Sequence, residues 1–336
     1  MHQPSEAART ASSPEGRILG SPRRRRLVAL LPVLTLVLAG CGGGAGGNAE
    51  TGGVDDGWKV QVVATTNWHT DLARQIGGDR AEVTGLMGPG VDPHLYQASA
   101  GDIDALLGAD MAVWNGLNLE ANMEEVFEEV GTKVPVVAVG DAVPEALLIA
   151  VKDVPGGEYD PHIWFDTEAW AYAAEAVAEA YQEVDPDNAD SYQERLEDFT
   201  AGLEGLDVDI SAMIGQVPER SRVLVTSHDA FSYFARSYGL DVAAIQGKST
   251  AGEATTADIR RVTETIAEAE LKTVFIESSV PRQTIDAVLA AAEEAGQPTE
   301  VGGELFGDSL GQPADGKGDY EGALMHNATV ITEGLR

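Results

Sequence analysis

Val60-Gln61-Val62-Val63-Ala64-Thr65 is a short apolar run of β type, followed by a helical pattern over Thr70–Ile76 and a second β-type run over Ala81–Met87. Strands separated by helices of about ten residues imply a parallel sheet with βα connections. The alternation continues outward. Met111–Trp114 and Val134–Val139 read as further strands, with helices over Ala98–Leu107 and Leu119–Val130. An Ala- and Glu-rich helix then spans Thr167–Val184, with Asp166 placed to cap it. After Asp185-Pro186-Asp187 a second helical pattern runs to about Ile214, with Tyr192, Leu196, Phe199, Leu203 and Leu206 at helical spacing, and Val217-Pro218 ends it. Beyond it the β/α texture resumes. Arg222–Thr226, Val242–Ile245 and Thr273–Glu277 are strand-like, and Phe231–Tyr238, Ala257–Glu270, Arg282–Ala295 and Asp319–Leu335 are helical. The expected fold is α/β with two lobes, each a parallel β-sheet flanked by helices, joined by a long helix, and a ligand site in the cleft between them. The expected divisions are residues 58–184 for the N-terminal lobe, 185–216 for the connecting helix and 217–336 for the C-terminal lobe.

The N-terminus carries a different kind of signal. Arg23 to Arg26 form a basic block, Leu27 to Leu38 an apolar run, and Leu38-Ala39-Gly40-Cys41 follows. That order describes a secretory signal peptide over residues 1–40, too short in its apolar part to span a bilayer comfortably. Its last four residues resemble a bacterial lipobox, in which the cysteine is lipidated. Cys41 is the only cysteine in the chain, so no intramolecular disulfide can form. A plain signal peptide with a chance cysteine is the alternative, but the single cysteine falls where lipidation needs it. Residues 41–57 are Gly-rich and polar and read as a flexible tether, which places the folded body at the outer face of the cytoplasmic membrane.

Without residues 1–40, which hold six arginines and two glutamates, 16 basic and 53 acidic side chains remain. So acidic a chain is a poor partner for nucleic acid, whose phosphates need a positive face. It would attract cations, although solubility alone explains an acidic secreted protein equally well.

Six histidines are present, and two lie in a repeated triplet, Asp92-Pro93-His94 and Asp160-Pro161-His162. A third, His228, stands in Thr226-Ser227-His228-Asp229 just after a strand-like run, and the three are spaced by 68 and 66 residues. Imidazoles so distributed suit a metal site assembled from distant loops and not a local finger. His94 follows Gly88-Pro89-Gly90-Val91, a loop of turn formers, so an exposed and rigid loop is expected there. Each proline favours extended backbone at the aspartate before it, and Asp92 and Asp160 could orient their neighbouring imidazoles. His2 falls in the signal segment, His69 at a helix start and His326 within the last helix, so these three are weak candidates. A carboxylate ligand from the C-terminal half is expected, and Glu277 and Asp308 both qualify by residue type. Taken singly, each histidine is more commonly structural; the repetition and the loop contexts reverse that for the three together.

The order of these motifs resembles the metal-binding lipoproteins of zinc and manganese ABC importers, a class of periplasmic-binding-type proteins. The stretches that carry the resemblance are Gly88–Gln97, Asp160–Asp166, Thr226–Ala235, Tyr238–Thr250, Phe275–Val280 and Glu304–Gly311. The resemblance implies that His94, His162, His228 and Asp308 bind one divalent cation between the lobes; by residue type Glu277, Asp92 and Asp160 stand beside them as supporting contacts or alternative ligands. It also implies delivery of the cation to a cognate ABC permease by a monomeric, lipid-anchored receptor with no catalytic cofactor. Many zinc-dedicated members carry a His-rich loop before the second histidine, whereas Val143 to Tyr159 here contains none. Three imidazoles and a carboxylate suit tetrahedral Zn²⁺, and a bidentate carboxylate would admit Mn²⁺.

Two other classes compete. In a secreted zinc-dependent hydrolase, three histidines would leave a position for activated water, with Glu277 as base. The fourth protein ligand closes that position, and no His-Glu-x-x-His helix occurs. A surface adhesin is the third class, suggested only by some members of the resembling family. Asn115-Gly116 reads as a turn, and Trp58, Trp68, Trp114, Trp164 and Trp170 read as packing residues, with Trp164 near enough to His162 to report on binding.

Overall fold

A computed structural model describes residues 57–151 and 158–336. The expected signal peptide, Cys41 and the tether up to residue 56 lie outside the described residues. The first lobe starts with β1 (Val60–Ala64), α1 (Asn67–Gly77), β2 (Ala81–Gly85), α2 (Ala100–Gly108), β3 (Met111–Trp114), α3 (Glu124–Val130) and β4 (Val136–Ala138). These four strands form one parallel sheet in the order β2-β1-β3-β4. β1 is central, and Val60, Val62, Val63 and Ala64 are all buried because helices cover both faces. A small antiparallel pair follows, β5 (Ala150–Val151) and β6 (Glu158–Tyr159).

The chain then enters α4 (Thr167–Val184) and α5 (Ala189–Ile214). Asp166 caps α4, its Oδ1 accepting from Glu168 N at 3.1 Å and Ala169 N at 3.0 Å. Its Oδ2 accepts from Arg236 Nη2 at 2.8 Å and Ser237 Oγ at 3.2 Å. Asp166→Ala therefore removes a cap and an ion pair together. The expected loss is about 1–2 kcal/mol, read as a lower urea midpoint with an unchanged slope. α5 is 26 residues long and buries Leu203, Leu206, Ile210 and Ile214 at helical spacing. It packs on α1 and α4 and on the C-terminal helix α9 (Tyr320–Leu335).

The second lobe contains β7 (Val223–Thr226), α6 (Ser232–Tyr238), β8 (Asp241–Ala244), α7 (Thr256–Glu268), β9 (Thr273–Glu277), α8 (Gln283–Glu294), β10 (Glu300–Leu305) and α9 (Tyr320–Leu335). Two parallel pairs, β7-β8 and β9-β10, lie side by side with β7 against β9. The spatial order β8-β7-β9-β10 repeats the β2-β1-β3-β4 order of the first lobe. β10 is not among the strands expected from sequence, and it carries Gly302-Gly303 at its centre. Glycine is required there by packing: a Cβ on Gly302 would collide with Thr273 Cγ2 on the neighbouring strand.

Loops beyond the carboxyl ends of β2, β7, β9 and β10 face the cleft, as ligand-bearing loops of open parallel sheets do. The second Asp-Pro-His triplet follows β6 and leads into α4. One hydrophobic core runs through both lobes, from Val60 and Trp68 through α5 to Leu324 and Ile331. Among the described residues, no helix is long and apolar enough to cross a membrane.

Candidate metal centre

The loop after β2 carries His94, and the loop before α4 carries His162. In both triplets the aspartate folds back on its own histidine. Asp92 Oδ1 accepts from His94 N at 2.9 Å, and Asp160 Oδ1 accepts from His162 N at 3.0 Å. These tight turns aim both imidazoles into the cleft. His228 stands two residues past β7, and Asp308 three residues past β10. The fold brings the four side chains together, with one ligand-type atom from each lying within 4.8 Å of the others. All are buried, His94 at 4%, His162 and His228 at 0% and Asp308 at 1% exposure. The burial of His94 corrects the expectation of an exposed loop: the second lobe covers it.

Both oxygens of Asp308 face imidazoles. Oδ1 lies 3.3 Å from His162 Nε2, and Oδ2 lies 3.1 Å from His228 Nε2 and 3.7 Å from His94 Nε2. Glu277 takes a different position, behind His228. Its Oε1 accepts from His228 N at 2.9 Å and its Oε2 lies 2.6 Å from His228 Nδ1. Asp160 Oδ1 lies 2.6 Å from His162 Nδ1 in the same way. Two of the imidazoles are thus held from behind by a carboxylate, which fixes the ring and presents Nε2 forward. Gly307 makes room for this, since a Cβ there would come 2.6 Å from Glu277 Oε2.

Electrostatics follow from burial against charge. Burial pushes the His94 imidazole down to about 4, with Asp308 pulling the other way. At His228 burial also opposes the charged form, but Asp308 and Glu277 outweigh it and the pKa rises well above the usual value. His162 is raised similarly, burial being overcome by Asp160 and Asp308. Asp308 is held well below the carboxylate range, since the imidazoles outweigh its desolvation. His94 Nε2, His162 Nε2 and Asp308 Oδ2 are buried, and the polar atoms nearest them are those of the same cluster. Buried polar atoms that converge with only one another for partners are costly unless a cation sits among them. Their donor types, imidazole nitrogen and carboxylate oxygen, are those of Zn²⁺ and Mn²⁺ sites.

Residues 62–334 match the family described as the periplasmic zinc-uptake complex component A. The chain belongs to the zinc-uptake component A family. Among its relatives in that family, the manganese-binding lipoprotein MntA of Bacillus subtilis is 38% identical over 313 residues, covering 93% of this chain and 100% of the relative. The zinc-binding protein TroA of Treponema pallidum is 38% identical over 277 residues, covering 82% of this chain and 89% of the relative. The solved structure of that periplasmic zinc-binding protein aligns with a TM-score of 0.80 over 82% of this chain and 99% of its own.

Membership in the zinc-uptake component A family accounts for the two lobes and the long helix. The remaining described histidines lie apart from the cluster. His69 is fully buried, its ring bonded to Thr66 Oγ1 at 2.7 Å and to Asn115 Oδ1 at 3.2 Å. His326 Nε2 lies 2.9 Å from Glu304 O. Asn115, read from sequence as part of a turn, is also a buried brace: its Nδ2 donates to Pro161 O at 2.9 Å and so supports the second Asp-Pro-His loop. Only a contact 46 residues away reveals this, and no local pattern announces it. Trp164 meets the His162 ring edge-on at 5.3 Å between centroids.

Proposed function

We propose that this protein captures one Zn²⁺ or Mn²⁺ outside the cell through His94, His162, His228 and Asp308 and delivers it to an ABC permease. The observation that carries this reading is the convergence of three imidazole nitrogens and a carboxylate, buried and with few other partners. It is a binding protein and not an enzyme. Glu277, which a hydrolase would need as a base, has both oxygens committed to His228. Relatives named for manganese and for zinc binding stand at equal identity, so the cargo class is a divalent transition-metal cation.

The donors divide between the lobes. His94 and His162 come from residues 58–184, and His228 and Asp308 from residues 217–336, with the helical segment 185–216 between. A cation bound to all four bridges the cleft and shifts the population toward the closed form that a permease can recognise. Metal binding releases protons from the imidazoles, and protonation or separation of the lobes releases the metal. With both Asp308 oxygens turned inward, the site offers five donors, which suits Mn²⁺ as well as tetrahedral Zn²⁺. The receptor acts as an extracytoplasmic lipoprotein monomer, held to the membrane through a lipid on Cys41.

The direct test strips the protein with chelator, loads it with Zn²⁺, Mn²⁺ or both, and counts bound metal by elemental analysis. One equivalent per chain is expected. Mn²⁺ retained against modest Zn²⁺ assigns a manganese receptor, and Zn²⁺ always displacing Mn²⁺ assigns a zinc receptor. No tight equivalent of either metal removes the reading.

A further inference from the structure

Asp92 and Asp160 each use only one oxygen on their own histidine. The second oxygen of each crosses the cleft to the same short loop, residues 246–253, which follows β8. Lys248 Nζ lies 2.6 Å from Asp160 Oδ2, and Thr250 Oγ1 donates to Asp92 Oδ2 at 2.6 Å. The loop is fixed at its other side to the segment that carries His228. Gln246 N donates to Ser227 O at 2.9 Å and Asp229 N to Gly247 O at 3.1 Å, bracketing His228 with backbone bonds. Lys248 also lies 2.8 Å from Asp229 Oδ2 and donates to Ser232 Oγ at 2.5 Å. One loop therefore joins the His228 segment to both Asp-Pro-His turns.

The position of these contacts in the cleft matters. Its inner side is sealed by the fully buried indoles Trp68 and Trp164, which both donate to Gly307 O, at 3.2 and 3.1 Å. The Lys248 contacts lie nearer solvent, with side-chain exposure of 19% for Lys248 and 28% for Asp229. A cation must pass somewhere to reach donors that are almost wholly buried. The polar, partly exposed side is easier to part than an aromatic core, because water can replace its ion pair and hydrogen bond.

We propose that residues 246–253 form a strap that fastens the cleft over the metal, with Lys248 and Thr250 as its fastening points. Through Asp160 and Asp92 they are positioning residues for His162 and His94; neither touches the metal. This inference rests on the ligand assignment proposed above. The strap controls how fast the cation enters and leaves. Loosening it speeds release because the lobes part more often, and speeds capture for the same reason. Removing the Lys248 charge also lowers repulsion toward an incoming cation.

The test uses the full chain in detergent, loaded with one equivalent of Zn²⁺, and follows transfer to a chromophoric chelator. Lys248→Met is expected to release Zn²⁺ about tenfold faster, equivalent to about 1.4 kcal/mol, and also to bind it faster from the stripped state. Lys248→Arg keeps the cation and the slow release. Thr250→Val gives a smaller acceleration, and carries the test by itself if Lys248→Met does not fold. Release at the wild-type rate from both Lys248→Met and Thr250→Val, with wild type still holding one equivalent, overturns the strap alone. So does faster capture with unchanged release, which would assign Lys248 to long-range electrostatics. A wild-type protein that holds no Zn²⁺ overturns the ligand assignment and the strap together.

Discussion

Asp308→Ala is expected to weaken Zn²⁺ binding by about a hundredfold to a few thousandfold. Among the described residues, Asp308 is the carboxylate whose two oxygens both face the imidazole nitrogens, at 3.1 to 3.7 Å. Leaving a buried charge without its partner costs about 3–5 kcal/mol, and each 1.4 kcal/mol is about tenfold in affinity. Glu277→Gln acts differently. It touches His228 from behind, at the backbone N and at Nδ1, so it loses ring orientation and basicity but no donor. Partners of that kind are worth about ten- to a hundredfold. Chelator competition on the two variants separates the roles, with circular dichroism confirming that both fold. A larger loss in Glu277→Gln than in Asp308→Ala would falsify the assignment of Asp308 as the ligand.

The choice between these two carboxylates shows where sequence reasoning ran out. Glu277 closes β9 and Asp308 lies three residues past β10, and the two strands are neighbours in one pair. Both residues therefore reach the same end of the lobe, and residue type alone does not rank them. What separates them is the Gly307 backbone, which leaves room for Glu277 to pass behind His228. The histidines were easier. Turn formers before His94, the repeated Asp-Pro, and a strand before His228 are local signals, and the fold does bring those three rings together. Periodicity located most strands and helices for the same reason. β10 escaped because its glycines answer to Thr273 on another strand. The burial of His94 escaped because its cover arrives from a lobe more than a hundred residues away. Lys248 escaped likewise, since nothing in its spacing points to Asp160.

Trp68→Ala is expected to destabilise the metal-free protein by about 3–5 kcal/mol, the usual range for deleting a buried indole. For a body of this size that lowers Tm by roughly 10 °C. Trp68 is fully buried, stacks on Trp164 at 5.9 Å, and meets Phe165 at 6.0 Å and Tyr320 at 5.9 Å. Tyr320 opens α9 of the second lobe, while Trp68 belongs to α1 of the first, so the cavity would open in the seam that unites them. Trp68→Phe separates packing from polarity. Most of the ring contact survives, and Gly307 O keeps Trp164 Nε1 as a donor, so the loss should fall to about 1–2 kcal/mol. Urea unfolding of the stripped protein measures both. Metal then adds a second reading: Zn²⁺ at about a thousand times the wild-type Kd stabilises the wild type by about 4 kcal/mol, and at that same concentration Trp68→Ala should retain less of the increment than Trp68→Phe. The carbonyl that Trp68 and Trp164 hold is that of Gly307, the residue next to Asp308, so loosening the seam also frees the loop that carries Asp308. An equal metal increment in the two variants would mean that the aromatic seam supports the fold without positioning Asp308.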